Sequence, residues 1–404
     1  MKQLVVILYT ICVIPCTLAQ TALSTNEKTK LTAYADFYMQ GSRLYGLTVT
    51  DTLTVWDTIS PKPIQYHKNV QTIAQNRKNE LCYIKNNELY NYVTGVKQPL
   101  SRSKGKVYNL FFDEANNPIV YTSTGILIYG DYYLPNKDDG YSIWSYNEDG
   151  KDDIVNKPKA CYLDEKSRLW LGFDNGESGG ALVFFDLKLR KFIAPNSLFS
   201  MYIEKYRGTE KVRTNYLLSY DFNELVTEFP EEVKIIEKDT LYKFPTNITA
   251  GHPKGITGNR NGTLYISQSS INFFIMGTGI IKVSPTAYKD FYKITFLNDI
   301  LEHEEISNEM VVAEYVGSVT YNTFDRHAYY YSDLGFFKIT ENTDGSFAKE
   351  FIAKPEISWS GQPNAVGSGM NVKKFRFTAP DKFFFLTTNN GIGYYNGKTF
   401  KYFK

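Results

Sequence analysis

The segment DEKSRLWLGFDNGESGGALVFFD spans residues 164–186, and APDKFFFLTTNNGIGYYN spans residues 379–396. Each contains a polar turn, an apolar and aromatic run, a short turn rich in Gly, Asn or Ser, and a second such run. Related phrases occur at 76–92, 113–129, 259–283 and 324–339. Paired runs around tight turns are typical of antiparallel hairpins. A hairpin repeated along the whole chain predicts an all-β propeller of four-stranded blades.

The number of copies predicts the number of blades. Turns that precede a central strand occur near residues 41, 79, 116, 167, 261, 325 and 381. A blade takes about 40 to 50 residues, so most intervals hold one blade. The long interval between 167 and 261 has room for a further, degenerate blade, because 214–229 and 233–244 alternate like strands. We predict seven blades, with eight as the alternative, in a single domain over residues 33–404.

The second strands of the copies are apolar on both faces, as in SRLWLGF at 167–173 and KFFFLTT at 382–388. A strand in the middle of a blade has another blade on each side, so both of its faces are buried and simple alternation fails. Trp170 is therefore predicted to be a core residue, and Trp56 is predicted to be one as well. By contrast, 298–310 carries apolar residues at helical spacing and is predicted to be a helix.

The first 19 residues have the pattern of a secretory signal peptide. Lys2 precedes an apolar run from Leu4 to Ile14, and Ala19 ends the segment at a cleavage-type position. Residues 20–32 are then an N-terminal arm that either stays separate or pairs with the last blade. No later stretch reaches the roughly 20 apolar residues of a membrane helix. The protein is expected to be secreted, periplasmic or at the cell surface.

Composition excludes some partners and cofactors. The formal net charge is +2 and both signs are interspersed, so a nucleic acid is not an expected partner. Cys82 and Cys161 are the cysteines that follow the signal segment, and the sequence leaves open whether they are bonded. The four histidines lie far apart, and the acidic loop at 136–153 lacks the spacing of a calcium loop. No metal or other cofactor is predicted.

Two phrases resemble the two-component-regulator propeller repeat found in exported Bacteroidetes proteins. Asp164, Leu169, Trp170, Leu171 and Gly172 match that repeat in one copy, and Thr388, Gly391, Ile392 and Tyr395 match it in the last. The resemblance implies an extracytoplasmic sensing or binding propeller. The sequence has neither the membrane helix nor the kinase of that family, so we expect a free-standing propeller that acts as a monomer.

The loops before each first strand and the turns between second and third strands of a propeller share one face around the central pore. This is where propellers usually bind ligands. Here that face carries amides, hydroxyls, carboxylates, one histidine and one tryptophan. The candidate ligand-binding residues are Trp359, His252, Asp174, Asn175, Asp333, Asn389 and Asn390. Turn formation alone accounts equally for the Asn and Asp residues.

The favoured hypothesis is a non-catalytic propeller that binds a small polar ligand, a glycan or a protein partner on this face. No catalytic residues are assigned, because no nucleophile elbow or other catalytic motif occurs. The first alternative is a propeller enzyme, a metal-assisted hydrolase or a lyase, with its site at the pore. The second is a scaffold in a cell-surface complex.

Overall fold

The computed structural model describes most of the repeat region. The described residues are 33–59, 62–100, 104–135, 144–146, 153–174, 180–193, 252–271, 276–285, 292–297, 303–306, 309–312, 314–343, 345–357 and 371–404. The predictions of a signal peptide, an N-terminal arm and strands at 214–244 fall outside these residues, as does most of the acidic loop.

The first part of the chain forms three blades and a separate hairpin. Blade 1 consists of β1 (Tyr34–Gln40), β2 (Arg43–Thr48), β3 (Thr52–Asp57) and β4 (Pro63–Lys68). Blade 2 consists of β5 (Val70–Gln75), β6 (Leu81–Lys85), β7 (Glu88–Asn91) and β8 (Lys97–Pro99). Blade 3 consists of β9 (Val107–Phe112), β10 (Pro118–Thr122), β11 (Gly125–Ile128) and β12 (Asp131–Tyr133). The hairpin pairs β13 (Trp144–Tyr146) with β14 (Asp153–Val155).

Four further blades and a second hairpin follow. Blade 4 consists of β15 (Ala160–Leu163), β16 (Arg168–Asp174), β17 (Gly180–Asp186) and β18 (Lys191–Ile193). Blade 5 consists of β19 (Pro253–Gly258), β20 (Leu264–Ile271), β21 (Met276–Pro285) and β22 (Tyr292–Phe296). The hairpin pairs β23 (His303–Ile306) with β24 (Glu309–Val312). Blade 6 consists of β25 (Val316–Asn322), β26 (His327–Ser332), β27 (Gly335–Glu341) and β28 (Phe347–Ala353). Blade 7 consists of β29 (Val372–Ala379), β30 (Lys382–Thr387), β31 (Ile392–Tyr395) and β32 (Phe400–Phe403).

Every blade is an antiparallel sheet whose four strands follow one another in chain order. The structure is thus an all-β, seven-bladed propeller, which confirms the predicted fold class and blade number. The helix predicted over 298–310 is wrong. Its described residues form β23 and β24, with Ile306 paired to Glu309. Apolar residues four positions apart fit a helix face, but here they flank a hairpin turn, and β-branched Val311 and Val312 favour strands.

The described part of the chain contains no helix long and apolar enough to cross a bilayer.

Among the described residues, an apolar cluster lies between each of the seven pairs of neighbouring blades. The central strands supply two clusters at once. In β16, Leu169 and Leu171 pack between blades 3 and 4, whereas Trp170 packs between blades 4 and 5. Alternate side chains therefore meet different neighbours, and this is why the second strands are apolar on both faces. Trp170 and Trp56 are both fully buried, as predicted.

The polar turn of the repeat is a capped turn. In blade 4, the carboxylate of Asp164 accepts hydrogen bonds from the backbone N–H groups of Lys166 and Arg168, both at 2.9 Å. Ser167 adopts a φ of 62° within that turn. Asn76 and Asn259 cap the corresponding turns of blades 2 and 5 in the same way. Asp and Asn recur at this position because their side chains satisfy the turn backbone.

Asp164 does more than cap its turn. Its Oδ2 accepts hydrogen bonds from Arg168 Nε at 2.7 Å and from Trp170 Nε1 at 2.9 Å. Both Asp164 and Arg168 are buried. Asp164 and Trp170, two of the residues that match the propeller repeat, thus belong with Arg168 to an internal polar network of blade 4 and have a structural role.

Blades 7 and 1 meet without a strand exchanged between them among the described residues. Trp56 and Phe403 pack edge to face in the shared cluster, with ring centroids 6.1 Å apart. Lys401 Nζ donates to the carbonyl oxygens of Thr58 and Ile59 at 3.2 and 2.9 Å. The ring is closed at this junction by side-chain packing and hydrogen bonds.

Candidate functional site

The first strands of all seven blades surround a central channel of about 630 Å³. The seven blades have the same strand order, so these inner strands run in the same direction around the channel. The residues at or just before their beginnings therefore gather at one end. We call this end the channel mouth. It contains Lys157 and Lys159 before β15, Lys254 in β19 and Lys373 in β29.

The channel is strongly basic although the chain as a whole is nearly neutral. The basic residues among its described lining are Lys157, Lys159, Lys254, Lys373, Lys374 and Arg376. Asp36 is the one acidic residue in that described lining. A cavity with walls of low polarity concentrates the field of such charges, so the channel attracts negative charge.

Two of the basic residues are paired deeper in the channel. Lys374 Nζ lies 2.5 Å from Asp36 Oδ1. The Cζ of Arg376 lies 4.0 Å from the ring centroid of Tyr38. Burial acts to lower the pKa of Arg376, but Tyr38 and Asp36 outweigh it and raise that pKa. Blade 7 supplies the cations and blade 1 their partners, so this inner pair, Lys374 and Arg376, helps to close the ring.

Three of the four lysines at the channel mouth differ from the inner pair. They are Lys157, Lys159 and Lys373, and we call these three the mouth lysines. None of the three makes an ion pair with a described residue, and all are exposed to the channel solvent. Although Lys373 is exposed, the surrounding channel wall removes part of the hydration of its ammonium group and lowers its pKa, and the positive charges of Lys159 and Lys157 lower it further. Three like charges from blades 4 and 7 thus face the same space.

The predicted residues Asp174 and His252 come together although 78 residues separate them. Asp174 ends β16, and His252 directly precedes β19. His252 Nδ1 is in hydrogen-bond contact with Asp174 Oδ1, and Lys254 Nζ lies 3.3 Å from Asp174 Oδ2. His252 is 5% exposed, and its buried Nε2 has no hydrogen-bond partner among the described residues. This arrangement fixes the imidazole ring between blades 4 and 5.

The other described candidates contact their own blades. Asp333 accepts a hydrogen bond from Tyr315 N at 2.9 Å, and burial raises the pKa of its carboxyl. Asn390 is buried, and its N–H donates to Thr387 Oγ1 at 2.8 Å. Asn389 lies in the same turn, between β30 and β31. Trp359 and Asn175 lie outside the described residues. Turn formation accounts for the Asn390 contact, while a ligand role for these residues stays a prediction.

The two cysteines are free thiols. Cys82 is buried in the cluster between blades 2 and 3, whereas Cys161 lines the channel. Burial raises the pKa of each thiol to about 12. Neither is ionised near neutral pH, so neither is an activated nucleophile.

The channel lysines lie outside the turns that supplied the predicted site residues. They lie in the first strands and in the segments just before them, in NKPKACYLD at 156–164 and NVKKFRF at 371–377. The available signal was the presence of lysines at or just before the beginning of several first strands, and Lys104 and Lys106 lie in the same position before β9. Among the described residues, no group of three or more His, Cys, Asp or Glu side chains is placed to hold a metal ion.

Comparison with known proteins shows similarity of fold and identifies no family. No family model and no curated protein matches the sequence. The structure is similar to a streptogramin B lyase, with 12% identity and a TM-score of 0.48 over 91% of this chain and 95% of that one. It is also similar to an ancestral GH74 enzyme, with 10% identity and a TM-score of 0.48 over 90% of this chain and 45% of that one.

A third similar structure is PorZ, a surface component of the type-IX secretion system of Porphyromonas gingivalis. It has 9% identity and a TM-score of 0.41 over 88% of this chain and 45% of that one. A fold does not define a function, so function has to be argued from the residues of this chain.

Proposed function

We propose that this chain is a binding propeller that holds a small polar ligand in the mouth of its central channel and does not convert it. The observation that carries the proposal is the channel of about 630 Å³, with charged side chains at its mouth that take no part in joining the blades. Small-molecule sites typically occupy about 300–1,000 Å³. A ligand that enters the mouth would contact several blades at once, which favours selective binding.

The proposal places the protein outside the cytoplasm, as a secreted, periplasmic or surface propeller of the two-component-regulator type. This part rests on the N-terminal sequence pattern and on the repeat residues around Asp164 and Trp170. The candidate side chains Trp359, Asn175, Asp333, Asn389 and Asn390 are proposed as secondary contacts on the same face. The protein is proposed to bind its ligand as a monomer.

A channel-filling variant tests this function. Ala35 lines the channel and is exposed to it, so Ala35→Trp fills space without removing an interaction. The matched control is Ile64→Trp on the outer strand β4, where Ile64 is 56% exposed. Isothermal titration with neutral sugars, amino acids, short peptides and organic acids should give a ligand that binds the wild type and Ile64→Trp but not Ala35→Trp. Unchanged binding to Ala35→Trp would contradict the proposal.

The contact between Asp174 and His252 favours an enzyme as the second candidate function. A carboxylate that orients a histidine is an arrangement found in general acid–base catalysis. Here the unpartnered Nε2 is buried, so substrate would reach it only after a local opening. Product analysis by mass spectrometry separates the two functions. An enzyme would convert the bound ligand and lose that conversion in His252→Gln, whereas a binding propeller would return the ligand unchanged.

A further inference from the structure

The three mouth lysines share one space because of the ring and not because of the sequence. Lys157 and Lys159 precede the inner strand of blade 4, and Lys373 lies in the inner strand of blade 7. More than 200 residues separate the two segments in the chain. All three line the same channel, and the charges of Lys157 and Lys159 both act on Lys373. The cluster is therefore a product of the tertiary structure.

Acidic side chains near the mouth are already engaged. Asp36 lies 2.5 Å from Lys374, and Asp174 contacts both His252 and Lys254. The mouth lysines have no ion-pair partner among the described residues, so their charges repel one another across the channel. Such repulsion is unfavourable, and it is reduced when a negative group binds between the charges.

We propose that the channel mouth binds a small molecule that carries negative charge on one or more oxyanion groups, and that Lys157, Lys159 and Lys373 are the residues that select it. Phosphate esters, sulfate esters and polycarboxylates share this chemistry. Lys presents a mobile point charge that suits oxyanions of more than one geometry. The size of the channel limits the ligand to small molecules. This inference rests on the proposed function, since it names the class of ligand that the channel takes.

The test uses the full chain at low ionic strength with four defined probes. Pyrophosphate and citrate are free oxyanions of different chemistry, and glucose 6-phosphate is compared with glucose to isolate the effect of one phosphate group. We expect the three anions to bind, glucose to bind at least about tenfold more weakly than its phosphate, and the anion affinities to fall as NaCl is added. Pyrophosphate against citrate distinguishes phosphate chemistry from carboxylate chemistry.

Lysine variants then assign the site. Lys159→Gln and Lys373→Gln should each weaken binding of pyrophosphate or citrate about tenfold or more, because each removes a charged hydrogen-bond donor. Lys398→Gln is the matched control. It removes the same charge from the same blade as Lys373, at an exposed position outside the channel lining. Circular dichroism and thermal melting check that the variants are folded.

The outcomes separate this inference from the proposed function. If glucose binds as tightly as its phosphate and Ala35→Trp abolishes both, the channel is a binding site and the inference is wrong. If the anions bind but Ala35→Trp, Lys159→Gln and Lys373→Gln bind them equally well, the anions lie elsewhere and the inference is wrong, whereas the proposed function is decided by the wider ligand set. If none of the three anions binds at low salt, the inference is wrong. The proposed function is then tested by the titrations with neutral sugars, amino acids, short peptides and organic acids.

Discussion

Lys373 and Lys374 are adjacent in one strand, yet they represent two different kinds of cation. Lys374 is paired with Asp36 of blade 1 at 2.5 Å, and Lys373 faces Lys157 and Lys159 without a described partner. The first contact joins two blades, while the second arrangement keeps positive charge available. Both side chains line the channel, and the register of β29 on β30 shifts between Val372 and Lys374, so one short segment can serve both ring closure and ligand recognition.

A third cation, Arg168, marks the other extreme. It is fully buried, and its Nη2 lies 2.6 Å from Asp164 Oδ2. The three cations therefore range from buried and paired, through partly exposed and paired, to exposed and unpaired. Removing the partner of a buried charge lowers the stability far more than removing the partner of a solvated charge. The loss of stability should follow this order, and the loss of ligand affinity should follow the reverse order.

The largest loss of stability is expected for Asp164→Ala. The substitution leaves the charge of Arg168 buried and removes the acceptor of Trp170 Nε1. Breaking a buried ion pair in this way costs about 3–5 kcal/mol. Urea unfolding should show this decrease in the free energy of unfolding. The conservative Asp164→Asn keeps an acceptor oxygen for the turn and should lose less. No loss in Asp164→Asn would show that the charge of Asp164 contributes nothing, whereas equal losses in the two variants would show that the acceptor oxygen adds nothing to the charge.

A smaller loss is expected for Asp36→Ala. Lys374 is 34% exposed and can be solvated after its partner is removed, so we expect a decrease of about 1–3 kcal/mol. The loss should fall on the junction between blades 7 and 1. Hydrogen exchange measured by mass spectrometry should therefore rise in β1 and β29 and stay unchanged in β16. A uniform rise in exchange over all blades would contradict a role in closing the ring.

The double variant Lys159→Gln/Lys373→Gln should retain full stability and lose the anion. Two charged contacts removed together should lower the affinity for pyrophosphate or citrate about 100-fold. Lys374→Gln is the informative comparison, because it should lower stability more than either mouth variant does. If Lys373→Gln destabilised the protein more than Lys374→Gln, the two lysines would have the opposite roles.

The smallest effect is a pH dependence due to Lys373. Its pKa in the folded protein is lowered by burial and by Lys159 and Lys157. Between that lowered pKa and the ordinary lysine value of about 10.4, the unfolded chain binds more protons than the native one. The free energy of unfolding should therefore rise with pH in this window. Below the window the residue is protonated in both states, and its contribution is a constant penalty.

The difference between wild type and Lys373→Gln isolates this effect from tyrosines that titrate at similar pH. We expect the wild type to gain about 0.5 kcal/mol or less across the window, because solvent in the channel screens the charge. Bound citrate should reduce the gain, since a nearby anion restores the protonated lysine. Parallel stability curves for the two proteins would rule out an electrostatic coupling among the mouth lysines.

The fold could be predicted from the sequence because its signals are local and repeated. The two-sided apolar pattern of β16 and β30, the capped turns after Asn76 and Asp164, and the number of copies all reflect physical demands that recur in each blade. The helix expected at 298–310 failed because a short window of apolar residues fits a hairpin as well as a helix. There, β-branched residues were the better indicator.

The site could be predicted only in part. The sequence indicated Asp174 and His252 separately, but only the ring brings blades 4 and 5 together and places one against the other. The mouth lysines were not predicted because lysines near the start of a first strand also occur before β9 and do not by themselves mark a site. They form a candidate site only because the fold places them in the same channel, and this depends on the relative positions of blades 4 and 7.

Each blade consists of consecutive strands, so the chain itself connects the blades at six of the seven junctions. Among the described residues, the junction between blades 7 and 1 is held by noncovalent contacts. Under a pulling force on residues 34 and 403, that junction would bear the load first, because no covalent connection shares it. The ring is therefore expected to open first at the junction between blades 7 and 1. Its opening should begin where Trp56 meets Phe403 and should widen the channel before any blade unfolds.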